Sequence, residues 1–197
     1  MDKLICVGKN YLEHAQEMGD GVPEVPVLFL KPPSSLVSAT RRGESLRVAL
    51  PRERGSVHYE CEIVLRLSAE GVITDFTLGL DMTLREVQAQ LKKNSHPWEI
   101  AKVFAASAIV GTWSKIDRLS HEGEFRLEIN GETRQLGTAA QMRLSPEDCV
   151  AHARRHFPLC DGDLLFTGTP AGVGQVAPGD VARLFWQNEC WLEVQWI

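Results

Sequence analysis

Short apolar runs, set apart by glycine, proline, asparagine and serine, recur along the whole chain, and most are rich in β-branched and aromatic residues. That pattern predicts strands over Leu4–Val7, Val27–Leu30, Leu46–Leu50, Val57–Leu67, Val72–Leu80, Ile109–Trp113, Phe125–Ile129, Leu164–Thr167, Val181–Trp186 and Trp191–Trp196. Asn130-Gly131 predicts a tight hairpin, because both central positions of a type I′ turn need positive φ. Helical spacing is confined to three segments. Tyr11–Met18 is short and is stopped by Gly19 and Gly21; Leu84–Lys93 has Thr83 as N-cap with Glu86 completing a capping box; Pro146–His156 has Ser145 as N-cap and its proline at the tolerated first position. Many strands with a few helices that do not alternate with them predict an α+β domain built on a folded-over mixed sheet.

Composition narrows the class without changing that picture. A chain of 197 residues is long enough for one full core and short enough that a single domain, 1–197, is expected. Hydrophobic residues at 44% and charged residues at 24% are ordinary globular usage, and the net charge of −5, with both signs mixed, offers no basic field for nucleic acid or anionic lipid. No apolar run is long enough to span a bilayer, and the apolar stretch at Met1–Val7 is too short for a signal peptide, so the cytoplasm is the expected address. The five cysteines are odd in number and never in a Cys-x-x-Cys pair, which predicts reduced, mostly buried thiols.

Candidate chemistry lies in the acidic residues. In the run Val57–Leu67 the period of two places Glu60 and Glu62 on one face with His58 and Val64, their Cα atoms roughly 6.5–7 Å apart, close enough to converge on one cation. The same spacing also fits the solvated face of an amphipathic strand. Asp81 closes the apolar run before Thr83 and reads equally as a turn residue or as a third ligand. Three carboxylates would suit Mg²⁺ or Mn²⁺, hard cations that prefer oxygen, whereas no thiolate or imidazole set has zinc spacing. His14 and Glu17 lie at i and i+3, as do Arg85 and Gln88. His152 and His156 lie one turn apart, but the arginines between them favour an exposed face. Trp186, Trp191 and Trp196 read as core or dimer contacts.

Taken in order, several pieces resemble the fumarylacetoacetate hydrolase family, and especially its short single-domain acylpyruvate hydrolase and oxaloacetate decarboxylase or tautomerase branch. They are Gly8-Lys9-Asn10-Tyr11 with His14 and Glu17, Leu28-Phe29-Leu30-Lys31-Pro32, Glu60-Cys61-Glu62, Leu80-Asp81-Met82-Thr83 with Arg85 and Gln88, Ala101-Lys102, Asn130-Gly131-Glu132 with Arg134-Gln135, and Thr167–Gly174. The resemblance implies the family's mixed β-roll, a homodimer, and Glu60, Glu62 and Asp81 as metal ligands. It implies that residues 10–21 form a lid whose His14 and Glu17 are an acid–base dyad, that Lys102 offsets developing negative charge, and that Arg85 and Gln88 orient substrate. Gly168–Gly174 lacks the Gly-Lys-Ser/Thr ending of a phosphate loop and is expected to form a backbone wall, with Thr169 meeting the substrate carboxylate.

The implied function is divalent-metal-dependent C–C hydrolysis of acylpyruvate-type 2,4-dioxo acids, with oxaloacetate decarboxylation or tautomerisation as a companion activity. The alternatives are isomerisation of a 2-hydroxy-diene-dioate and a catalytically silent metal- or oxo-acid-binding dimer. Val103 after Lys102, Met142-Arg143 and the glycine-free hairpin at Gln187-Asn188-Glu189 depart from the family pattern.

Overall fold

The structure is a computed structural model that describes residues 1–17, 25–51 and 54–197. The chain runs β1 (Leu4–Gly8), α1 (Leu12–Glu17), β2 (Val27–Lys31), β3 (Leu36–Ser38), β4 (Ser45–Val48), β5 (Val57–Tyr59), β6 (Cys61–Leu67), β7 (Ile73–Asp81), β8 (Thr83–Leu84), α2 (Arg85–Lys93), α3 (Glu99–Lys102), β9 (Ala108–Val110), β10 (Ser114–Lys115), β11 (Glu124–Ile129), β12 (Glu132–Thr138), α4 (Pro146–Arg154), β13 (Leu164–Phe166), β14 (Gly174–Val176), β15 (Val181–Trp186) and β16 (Glu189–Trp196). An eight-stranded mixed sheet in the order β2-β1-β13-β6-β7-β9-β3, with β10 beside β7, packs against a five-stranded sheet in the order β12-β11-β15-β16-β4. A three-stranded piece, β14-β5-β8, joins them. This is the expected α+β roll. Among the described residues no helix is long and apolar enough to cross a membrane.

The eight-stranded sheet is buried on both faces. Ile5, Val7, Ile63, Leu65, Leu78 and Leu80 face the main core, which holds Phe125, Leu184, Leu192 and the indoles of Trp186, Trp191 and Trp196. Phe76 stacks on Trp186 and Trp191 at 5.1 and 5.2 Å, so these tryptophans are core. The opposite face carries a second cluster of Leu4, Cys6, Val64, Ala108, Val110, Leu164 and Phe166. Burial on two sides explains why β6 and β7 read as near-continuous apolar runs. Gly79 is required where β7 meets β9, since a Cβ there would lie 2.8 Å from the Ile109 carbonyl and the Val64 side chain.

Several expectations need correction. The run Val57–Leu67 is two strands: β5 pairs with β8 and β14, whereas β6 pairs with β7 and β13, and Glu60 sits at the change of sheet. Thr83 does not cap α2; it lies in β8, Leu84 holds the cap position, and Glu86 accepts instead from the Ser56 N–H at 2.7 Å. Tertiary partners outcompeted the local box. The predicted third helix, now α4, ends at Arg154 rather than His156, while its Ser145 cap accepts from the Asp148 N–H as expected. The Asn130-Gly131 turn has φ of 53° and 83° and joins β11 to β12. The chain also forms β3, β10, β14 and α3, which the apolar pattern does not mark, and β12 as the second strand of the Asn130-Gly131 hairpin. Met18 and residues 19–21 of the expected lid lie outside the described residues.

Cys6, Cys61 and Cys149 are buried, Cys160 is exposed, and all five thiols are free. Asp163 pins the start of β1 beside β13, accepting from the Asp2 and Lys3 N–H groups and pairing with Lys3 Nζ at 2.7 Å.

Candidate active site

Strand register gathers the acids. Cys61 pairs with Leu80 and Glu62 with Gly79, and the Asp81 N–H donates to the Glu60 carbonyl at 2.9 Å, so Glu60, Glu62 and Asp81 share the face that bears Val64. The alternation read from sequence holds, but that face is not solvated: Glu60 is 6% exposed, Glu62 2% and Asp81 1%. One carboxylate oxygen from each lies within 4.8 Å of the others.

Three cations close around two of these acids. Lys102, at the end of α3, donates to Glu60 Oε2 and Asp81 Oδ2, both at 2.8 Å, and to Thr83 Oγ1 at 2.7 Å. Lys31 Nζ lies 2.6 Å from Asp81 Oδ1, and Arg85 donates to Glu60 Oε1 at 2.6 Å and to Gln88 Oε1 at 2.9 Å. Burial alone would raise the Glu60 carboxyl, yet Lys102 and Arg85 outweigh it and hold it well below the usual carboxylate range. Burial likewise works against the Lys102 ammonium, and Asp81 and Glu60 outweigh it, holding the group charged above the ordinary lysine range. Glu62 differs. Among the described residues no basic side chain pairs with it, and its one donor is the Gly168 N–H at 2.7 Å. Burial, then the charges of Asp81 and Glu60, push it well above the usual range.

That imbalance tests the fit of a metal. Three converging carboxylates, one of them without a basic partner among the described residues, are an all-oxygen donor set that could hold a hard divalent cation. The residues present fit Mg²⁺ or Mn²⁺, with Glu60, Glu62 and Asp81 to hold it.

The cleft above the acids is lined by His14, Phe29, Arg85, Gln88, Trp98 and Lys102, with Gly168 and Thr169 forming a wall. His14 is buried, and its Nδ1 lies 3.4 Å from Glu17 Oε2. Glu17 itself is half-exposed and accepts from the Gly172 N–H at 3.2 Å to each oxygen. The Thr169 hydroxyl donates to the Cys61 carbonyl and accepts from Gln135, both at 2.8 Å. The site residues expected from sequence are therefore brought together, with His14 rather than Glu17 facing the cleft. Sequence reading gave no role to Lys31, to the Gly168 N–H or to Gln135. A lysine before Pro32 carries no local sign that it will be buried against Asp81, and a backbone donor has no side chain to signal it.

The fold and the buried three-acid group together define a mixed β-roll with a candidate metal site, and comparison with known proteins assigns its family. Residues 3–188 match the fumarylacetoacetate (FAA) hydrolase C-terminal family, and the chain belongs to that family. It is 36% identical over 193 residues to oxaloacetate tautomerase YcgM of Escherichia coli (strain K12), covering 91% of this chain and 86% of that one. A crystal structure of fumarylpyruvate hydrolase from Pseudomonas aeruginosa in complex with Mn²⁺ and pyruvate superposes with a TM-score of 0.91 at 35% identity, over 99% of this chain and 89% of that one. The structure of 5-carboxymethyl-2-hydroxymuconate delta-isomerase from Mycobacterium smegmatis gives 0.81 at 29%, over 100% and 78%. The relatives include a tautomerase, a hydrolase and an isomerase.

Proposed function

We propose that the chain is a Mg²⁺- or Mn²⁺-dependent enzyme that enolises a small 2-oxo acid and uses that chemistry to hydrolyse the C–C bond of acylpyruvate-type 2,4-dioxo acids. The observation that carries this reading is the buried carboxylate triad, in which no basic side chain among the described residues pairs with Glu62. A metal held by Glu60, Glu62 and Asp81 would supply Lewis-acid polarisation of the 2-oxo group. The side chains do the rest. Lys102 and Arg85 keep positive charge beside the acids and favour an anionic substrate; Gln88 fixes the Arg85 guanidinium; the wall at Gly168 and Thr169 bounds the carboxylate end. His14, with Glu17 behind its Nδ1, takes or returns the proton at substrate C3 and deprotonates a water that adds to the 4-oxo carbon. The C3–C4 bond then breaks, giving pyruvate and a carboxylic acid.

Oxaloacetate tautomerisation is a second reading, favoured by the E. coli relative and by a dyad with one imidazole in the cleft, since moving a proton between carbon and oxygen needs no water. One assay separates them: metal-stripped protein is given acetylpyruvate, fumarylpyruvate, oxaloacetate and a 2-hydroxy-diene-dioate, with and without Mg²⁺ or Mn²⁺. Metal-dependent release of pyruvate from an acylpyruvate supports hydrolysis; enol–keto exchange of oxaloacetate alone supports the second reading; turnover unaffected by a chelator overturns both. The homodimer implied by the resemblance belongs to the same proposal, and light scattering of the purified protein tests it.

A further inference from the structure

Gln135 follows Arg134 on β12 and does not line the cleft. It is 1% exposed on β12, the edge strand of the five-stranded sheet, and its printed hydrogen bonds run to Cys61, between Glu60 and Glu62, and to Thr169 and Pro170 at the wall of the cleft. Its Oε1 accepts from the Cys61 N–H at 2.9 Å, and its Nε2 donates to Thr169 Oγ1 and to the Pro170 carbonyl, both at 2.8 Å. Thr169 Oγ1 in turn donates to the Cys61 carbonyl. Cys61 lies between Glu60 and Glu62, and its N–H and C=O point along the edge of β6 where β13 has ended, the last link being the Thr167 N–H to the Ile63 carbonyl at 3.1 Å. Gln135 and Thr169 thus replace a missing strand at the one residue that separates two candidate metal ligands. Without them the buried N–H and C=O of Cys61 would lose the partners the structure gives them.

Arg134, the neighbour of Gln135 on β12, backs the turn that follows Thr169. Gly172 has φ of +97°, and a Cβ on it would run into the Arg134 carbonyl. From that position the Gly172 N–H reaches both oxygens of Glu17.

We propose that Gln135 is a positioning residue that ties the backbone between Glu60 and Glu62 to the Thr169–Gly172 turn on which Glu17 is latched, so that one buried amide sets both the metal ligands and the docked α1. This rests on the metal reading only for its first half. The test measures Mn²⁺ affinity by electron paramagnetic resonance and amide exchange by mass spectrometry, on wild type and on Gln135→Met. Without metal, amides of residues 12–17 and Gly172 should exchange about 10-fold faster in the variant, the equivalent of one net hydrogen bond, and Mn²⁺ should bind about 10-fold more weakly. Amides of Val181–Trp186 should be unchanged. Wild-type exchange and affinity in Gln135→Met, even with a lowered Tm, would overturn the proposal. If Gln135→Met does not fold, Gln135→Glu takes its place: it keeps an acceptor for Cys61 but sets an oxygen against Pro170. It should free residues 12–17 and lower kcat about 10-fold while Mn²⁺ affinity stays within about threefold; unchanged exchange and kcat would overturn the link to α1. Wild type that binds no Mn²⁺ refutes the metal reading, and the exchange data then decide the latch alone.

Discussion

Glu62 and Asp81 stand on long paired strands, with Glu60 at the junction of β5 and β6 and a hydrophobic cluster beside them on the same face, whereas His14 and Glu17 stand on a six-residue helix whose far end meets the Gly172 N–H. A helix of that length has no stability of its own and keeps its place only through contacts. The acids are fixed by register; the dyad is fixed by docking. On the proposed function, such a site would hold its metal whatever the state of α1 and would offer proton transfer only when α1 is seated. The two parts should therefore fail differently.

The largest effect expected is from the rigid part. Glu62→Ala removes the acid of the triad that has no basic partner among the described residues and should lower kcat/KM roughly 10³-fold, about 4 kcal/mol, with the fold intact by circular dichroism. Near wild-type turnover at limiting Mg²⁺ would show that Glu62 is not a ligand. Asp81→Asn should lose metal affinity first and recover partly as Mg²⁺ is raised.

Glu17→Gln keeps size and hydrogen bonding but removes the charge behind His14. Because His14 faces the cleft, the fall in kcat should sit at the lower end of acid–base effects, about 10²-fold, with metal affinity unchanged and no rescue by added metal. Identical metal responses in Glu17→Gln and Asp81→Asn would erase the distinction between the two regions.

A subtler contrast is dynamic. Amides of residues 10–17 should gain protection when oxalate and Mg²⁺ are added together, while those around Glu62 change little, as read by hydrogen exchange. Equal protection of residues 10–17 in both states would remove gating from the account.

The smallest effect lies outside the site and calibrates the rest. Burial opposes the Asp163 charge, but Lys3 and the surrounding N–H groups outweigh it and hold the carboxyl below its ordinary value. A depressed folded value means the contribution is complete above about pH 4, the unfolded value, and is lost as pH falls through the lower folded one. Asp163→Asn should cost about 2 kcal/mol near neutrality, and the Tm gap from wild type should shrink in acid. Metal affinity should not move. A gap that widens in acid would reverse the assignment.

What the sequence determined by itself was local. Period-two spacing placed Glu60 and Glu62 on one face, Asn130-Gly131 set a hairpin, Ser145 capped a helix, and the order of motifs pointed to the family, because each depends on neighbours along the chain or on residue order. The tertiary structure alone decided the rest. Thr83 and Glu86 make a sound capping box on paper, but a sheet partner, Lys102 and the Ser56 N–H claimed them first. Whether the acidic face met water or core depended on the second cluster behind it, and Lys31, Gly168 and Gln135 entered the site from segments 50 to 106 residues away from the residues they contact there, a separation that no local pattern spans.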